Sequence, residues 1–134
     1  MIKIITAAQM QELERRTIGE GRVPATTLME RAGSGVAACI EQWVGTVSGK
    51  TITVVCGKGN NGGDGFVAAR LLRRRRANVR VLTMASLSEL SRDAALMYRQ
   101  FVKVAGKSSV IPYRSKDTAR ALLQESHLLV DALL

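Results

Sequence analysis

Histidine occurs once in this chain, tryptophan once, and cysteine and proline twice each. Each scarcity excludes something. With Cys39 and Cys56 far apart and His127 alone, no C-x-x-C pair or His/Cys spacing could hold zinc. Both cysteines sit in apolar settings and read as buried, reduced thiols, which fits a reducing compartment, most simply the cytoplasm. No run reaches the roughly 18 apolar residues a membrane-spanning helix needs. The apolar stretch at residues 1–6 is too short for a signal peptide. Aromatic residues make up only 4%, and no RNA-stacking motif interleaves with the charges. The +9 charge, from 20 Lys and Arg against 11 Asp and Glu, therefore reads as a basic face, and nucleic acid is not the expected partner. Gly49-Lys50-Thr51 and Gly106-Lys107-Ser108 have Val44 and Phe101 where the first glycine of G-x-x-x-x-G-K-S/T would stand, which rules out a Walker A loop.

What remains is ample for a core. Hydrophobic residues make up 46% and charged residues 23%, a globular balance. One domain over 1–134 is expected. Twelve glycines are present, five of them within nine residues of one segment: Gly57-Lys58-Gly59-Asn60-Asn61-Gly62-Gly63-Asp64-Gly65. The β-branched run Thr51–Cys56 leads in, and a helical pattern over 66–76 leads out. Strand, glycine loop and helix together let backbone N–H groups approach a ligand. Glycine removes the obstructing Cβ and also permits unusual backbone angles.

Around this segment the pattern alternates. Thr6 and Gln9 form a capping box, followed by a loose apolar stripe of Met10, Leu13 and Ile18, with Glu12 and Glu14 solvated. A second box, Thr27 to Glu30, opens a helix of about four turns whose stripe is Leu28, Ala32, Val36, Ile40 and Val44, widened by Met29, Gly33, Ala37 and Trp43. Strands are expected at 51–56, 79–84, 109–113 and 127–131. A helix led by Ser86 to Glu89 and one capped by Ser115 lie between the later strands. Arg73, Arg74, Arg75 and Arg76 suit a helix C-terminus. Such alternation predicts an α/β fold with right-handed crossovers and a mostly parallel sheet covered on both faces.

The chemistry is less ordinary than G-x-G-x-x-G suggests. A dinucleotide site wants an acid about 20 residues on, and the second strand ends in Leu82-Thr83-Met84. Asp64 near a helix start would repel a phosphate placed beside it, and suits ribose hydroxyls or a cation better. Asn60 and Asn61 add hard oxygen donors of the kind alkali and alkaline-earth cations take, or serve only as turn residues. Asp131 ends the last strand, at the edge where open sheets bind ligands, and could ligate a cation or move a proton.

The segment from Gly57 to Gly65, with Ala69-Arg70 after it, closely resembles the signature of the YjeF N-terminal-domain family, the NAD(P)HX epimerases. Leu28-Met29-Glu30-Arg31-Ala32-Gly33, Ala8-Gln9-Met10 and Val130-Asp131-Ala132 resemble other motifs of that family, in its order. The resemblance implies a Rossmann-like three-layer αβα fold and the interconversion of the S and R forms of hydrated NADH and NADPH. A companion NAD(P)HX dehydratase would be the functional partner. Carried over, Asn60, Asn61, Gly62, Gly63 and Asp64 would contact NADHX or NADPHX. Asn61 and Asp131 would bind a potassium ion, and Asp131 is the candidate catalytic acid or base. The family continues past Val-Asp-Ala into a Gly-rich loop and further elements, so the expectation here is a domain truncated at its C-terminus, with an inactive state open. Residues 128–134 would then form an apolar strand lacking a neighbour, which makes a homodimer an expected state. The alternative is a non-catalytic nucleotide- or RNA-binding module of the same fold, motivated by the charge and by Arg73 to Arg76.

Overall fold

Four apolar runs become strands, and their pairing decides which edge can receive a ligand. A computed structural model describes residues 4–134; Met1, Ile2 and Lys3 of the amino-terminal apolar run lie outside the described residues. Two helices come first, α1 (Ala7–Gly19) and α2 (Ala25–Val44). Strand and helix then alternate: β1 (Thr51–Cys56), α3 (Asn60–Arg74), β2 (Asn78–Thr83), α4 (Arg92–Ala105), β3 (Val110–Pro112), α5 (Lys116–Gln124) and β4 (Leu128–Ala132). The strands form one sheet in the order β3-β2-β1-β4, every pairing parallel. The expected α/β class and three-layer arrangement both hold.

The layers follow from strand alternation. Ile52, Val54 and Cys56 of β1 join Val79, Val81 and Ala132 in the main core with Phe66, Leu72, Met97 and Phe101. Leu82 packs instead with Ala119 and Leu122 of α5, beside Val55 and Ile111. Helix α3 thus lies against the sheet with α2 and α4 on either side, and α5 covers the other face. Within the second layer, Thr53 is fully buried and its hydroxyl meets that of Ser126 at 2.7 Å.

Several boundaries differ from expectation for physical reasons. The Thr6–Gln9 capping box forms as read, yet α1 buries none of its residues; Met10, Leu13 and Ile18 are exposed. Helix α2 starts at Ala25 behind Pro24, whose fixed φ suits a helix start, so Thr27 is inside the helix and caps nothing. Its buried face is Met29, Gly33, Ala37 and Ile40, with Val44 packed alongside. A strict four-residue spacing advances about 40° per step beyond a full turn. The expected stripe therefore winds around the helix, leaving Ala32, Val36 and Trp43 in solvent. Ser86 and Glu89 do exchange hydrogen bonds, but they close only a turn; α4 begins behind Ser91, whose hydroxyl accepts from the Ala94 N–H. Cys39 is exposed rather than buried, while Cys56 is enclosed and its burial pushes the thiol pKa up.

The largest difference concerns the glycine segment. It is not a loop: helix α3 starts at Asn60, so Asn60 to Gly65 form its first turn and a half. Positive φ occurs at Gly45, Gly49 and Gly106 and at none of the five glycines here. Their use is the missing Cβ. A Cβ on Gly62 would strike the Gly57 carbonyl, and one on Gly57 the Leu133 carbonyl. On Gly65 it would lie 2.7 Å from Ala132 Cβ and 2.8 Å from Cys56 Sγ. The start of α3 is thereby pressed onto the ends of β1 and β4.

Candidate ligand site at the carboxyl edge of the sheet

The turn between β1 and α3 is held from three sides. Gly57 N–H donates to the Ala132 carbonyl at 2.9 Å, tying it to β4. Met84 N–H donates to the Cys56 carbonyl at 2.9 Å, tying it to the end of β2. Ser91 N–H donates to the Lys58 carbonyl at 3.2 Å, and its hydroxyl meets Asn60 Oδ1 at 3.4 Å. Within α3 the first amide to find a carbonyl is that of Gly63, which donates to Gly59. The N–H groups of Asn60, Asn61 and Gly62 have no acceptor among the described residues. Three open amides at the positive end of a 15-residue helix are suited to an anion or a carbonyl oxygen.

The side chains divide between two faces. Asn60 and Asn61 are exposed at the helix start, whereas Gly62 and Gly63 are buried. Asp64 is half-buried and turns into a small cavity of about 80 Å³ lined also by Glu14, Ile18, Leu28, Met29 and Asn60. Burial pushes its carboxyl pKa up to about 6, and the charge of Glu14 adds to the shift. Such a group is half-protonated near pH 6 and can give or take a proton just below neutrality. Asp131 stands opposite Val55 on the neighbouring strand, with Ala132 opposite Cys56. It is exposed, its Oδ1 accepts from the Leu133 N–H at 3.0 Å, and it rims an apolar cavity of about 310 Å³ with Leu82, Met84, Tyr113 and Leu123.

The structure therefore gathers Asn60, Asn61, Gly62, Gly63 and Asp64 on the first turns of one helix and sets Asp131 at the end of the adjoining strand. It does not bring Asp64 and Asp131 into one cavity. Among the described residues no three of His, Cys, Asp or Glu converge. The donors on offer at this edge are amide, carbonyl and carboxylate oxygens.

Two contributors escape a reading by pattern. Glu14 reads as a solvated helix residue, yet it reaches the Asp64 cavity; its signal was Ile18, one turn on, which lines the same cavity. Arg70 on α3 is buried and donates through Nη2 to both oxygens of Glu30 on α2, each at 2.6 Å. Together with Gly33, where a Cβ would lie 2.7 Å from the Asp64 carbonyl, this pair sets how closely α2 walls the cavity. Glu30 and Arg70 were visible only as letters of two separate motifs.

The model of a family described as YjeF-related protein N-terminus matches residues 25–134. The chain belongs to this family. Helices α2 to α5 and all four strands fall inside the match. Among curated relatives, an NAD(P)H-hydrate epimerase of Rhodobacter capsulatus is 37% identical over 138 residues, covering 99% of this chain and 62% of the relative. A bifunctional NAD(P)H-hydrate repair enzyme Nnr of Salinibacter ruber is 48% identical over 92 residues, covering 69% of this chain and 17% of the relative. The crystal structure of the yeast protein YNL200c superposes with a TM-score of 0.83 at 27% identity, over 99% of this chain and 57% of that one. The chain thus spans less than two thirds of the length of these relatives. Its YjeF-type fold is the one the yeast protein shares, and among the described residues no helix is long and apolar enough to cross a membrane.

Proposed function

We propose that this chain acts in nicotinamide-cofactor repair as an NAD(P)H-hydrate epimerase domain, the activity for which its relatives are named. The observation that carries this reading is the carboxyl edge itself. Three open amides and two exposed asparagine side chains begin α3, and an aspartate ends the adjoining strand at the same edge of the sheet. The amides of Asn60, Asn61 and Gly62 suit an oxygen of the dinucleotide, a carbonyl or a phosphate, because Asp64 turns into the cavity against α1 and α2. Gly62 and Gly63 act by keeping the backbone close, and Asp64, with its carboxyl pKa near 6, supplies a proton-exchanging group beside Asn60.

The reaction inverts the carbon that bears the added hydroxyl. In one route the hydroxyl takes a proton and leaves as water, the ring nitrogen's electron pair stabilises the cation left behind, and water returns to the other face. Asp131 is the proposed acid and base. It protonates the departing hydroxyl and recovers the proton from the incoming water. Asn61 and Asp131 offer hard oxygens and no nitrogen or sulfur, a donor set that fits potassium better than a transition metal. A bound potassium ion would supply a fixed positive charge next to the hydroxylated ring or its phosphates. A dehydratase acting on one epimer is the proposed functional partner, the cytoplasm the proposed compartment, and a homodimer the proposed state, favoured by the exposed Leu129 and Leu133 on the open edge.

Chromatography of the two epimers tests this. A preparation enriched in one form should relax to the equilibrium mixture faster with the protein than in buffer, and Asp131→Asn should remove the difference. Identical relaxation with and without protein would overturn the proposal for this chain.

A further inference from the structure

The charge of this molecule is unevenly placed. Helices α2, α3 and α4 all run from the carboxyl edge toward the amino edge of the parallel sheet, because each leads into the start of a strand. Their C-termini therefore gather at the end opposite the candidate ligand site. At that end stand Lys50, Arg73, Arg74, Arg76, Lys103 and Lys107. None of these has a carboxylate partner among the described residues. The acids nearby are already engaged: Glu41 pairs with Arg75 at 3.1 Å, and Glu125 with Arg80 at 2.7 Å. Cations at helix C-termini stabilise their own helices, but that accounts for the last turns of α3 and α4 and not for Lys50 or Lys107 in the connections. Trp43, on the last turn of α2, is 83% exposed at this same end.

From this arrangement we infer a second functional surface: the amino edge binds single-stranded nucleic acid without sequence preference. Three helices packed side by side at roughly 8–10 Å spacing put the basic ridge at about 20 Å across, room for a few nucleotides. Arginine forks suit phosphate oxygens, and an uncovered indole offers a face on which a base can stack. An anionic membrane would also attract the cations, but insertion would want several apolar side chains, and this ridge offers Trp43 with the far less exposed Val104. The inference does not rest on the epimerase reading, since the two surfaces lie at opposite ends of the strands.

Fluorescence anisotropy with labelled oligouridylate and oligothymidylate 12-mers measures it. With about five phosphates neutralised at roughly 0.7 counterions each, affinity should fall about 100-fold between 50 and 200 mM salt. The double change Arg74→Ala with Lys103→Ala removes two contacts, so the same salt step should cost only about 20-fold. Trp43→Ala should weaken both oligomers about tenfold. The pair Arg114→Ala with Lys116→Ala, at the opposite edge, should leave all of this unchanged. No binding at 50 mM salt would overturn the inference. So would an equal loss from the opposite-edge pair, or binding to vesicles of phosphatidylcholine and phosphatidylserine in place of the oligomers.

Discussion

Replacing Gly62 by alanine separates two reasons for a glycine. If this residue served only backbone freedom in a loop, alanine would be tolerated or, inside a helix, would stabilise. Alanine gains about 1 kcal/mol over glycine in a helix interior. The structure predicts the opposite sign. A Cβ at Gly62 lands on the Gly57 carbonyl, a backbone group that is itself held by the Ala132 hydrogen bond at its N–H and cannot swing aside. Overpacking of this kind costs about 1–3 kcal/mol, and with immobile backbone we take about 3. Subtracting the helix gain leaves a loss of about 2 kcal/mol. For a domain of this size about 3–5 °C accompanies each kcal/mol, so the midpoint should fall by about 6–10 °C. Gly35 is the internal control, since it is also helical, exposed and has nothing within 4 Å of its Cβ position. Gly35→Ala should raise the midpoint by about 3–5 °C. Thermal denaturation followed by circular dichroism reads both. A Gly62→Ala protein that melts as high as Gly35→Ala would refute the close-approach account.

Other expectations follow from the same geometry. Asp64 has its folded pKa raised to about 6 from 3.8. The folded state therefore holds more protons than the unfolded state between about pH 4 and 6, and stability falls as pH rises through that window. Asp64→Asn should melt like the parent at pH 4 and higher than it at pH 8; equal midpoints at both would contradict the buried-carboxyl picture. Removing Glu30 strands a buried guanidinium, so Glu30→Ala should cost about 2–3 kcal/mol in urea denaturation, and Arg70→Met much less; the reverse order would mean that the pair contributes packing alone. One thiol per chain, that of Cys39, should react with a disulfide reagent in the native protein, and Cys56 only on unfolding; rapid loss of both would show that β1 is not sealed.

The sheet was legible because its strands are short β-branched runs separated by helical periods, a pattern with few alternatives. Caps were legible where the side chain has one job, as at Thr6 and Ser115; at Ser86 the same letters close only a turn, and Ser91 caps the helix. What failed was angular: five apolar residues at spacing four could be aligned on paper, but 3.6 residues per turn rotates them out of one face, and Gly33 against Val67 fixed which face goes in. The glycine cluster read as a loop because close approach and free φ leave the same letter. Only the neighbours, Gly57 for Gly62 and Ala132 for Gly65, distinguish them, and those are contacts across the sheet. The site was legible as a motif, yet its division between two faces was not. Strand alternation turns Ala132 toward α3 and Asp131 toward α5, and that depends on where β4 starts, which patterning gave one residue early.

The central claim is that the start of α3 and the end of β4 together receive the hydrated dinucleotide. Amide chemical-shift mapping on the labelled protein, titrated with hydrated NADH, reads that edge directly and without turnover. The account predicts saturable shifts at Asn60, Asn61, Gly62 and Asp131, larger in potassium than in tetramethylammonium chloride, with Lys50 and Arg74 unmoved. Shifts confined to the amino edge, or none at Asn60 to Gly62 with ligand in excess, would contradict it.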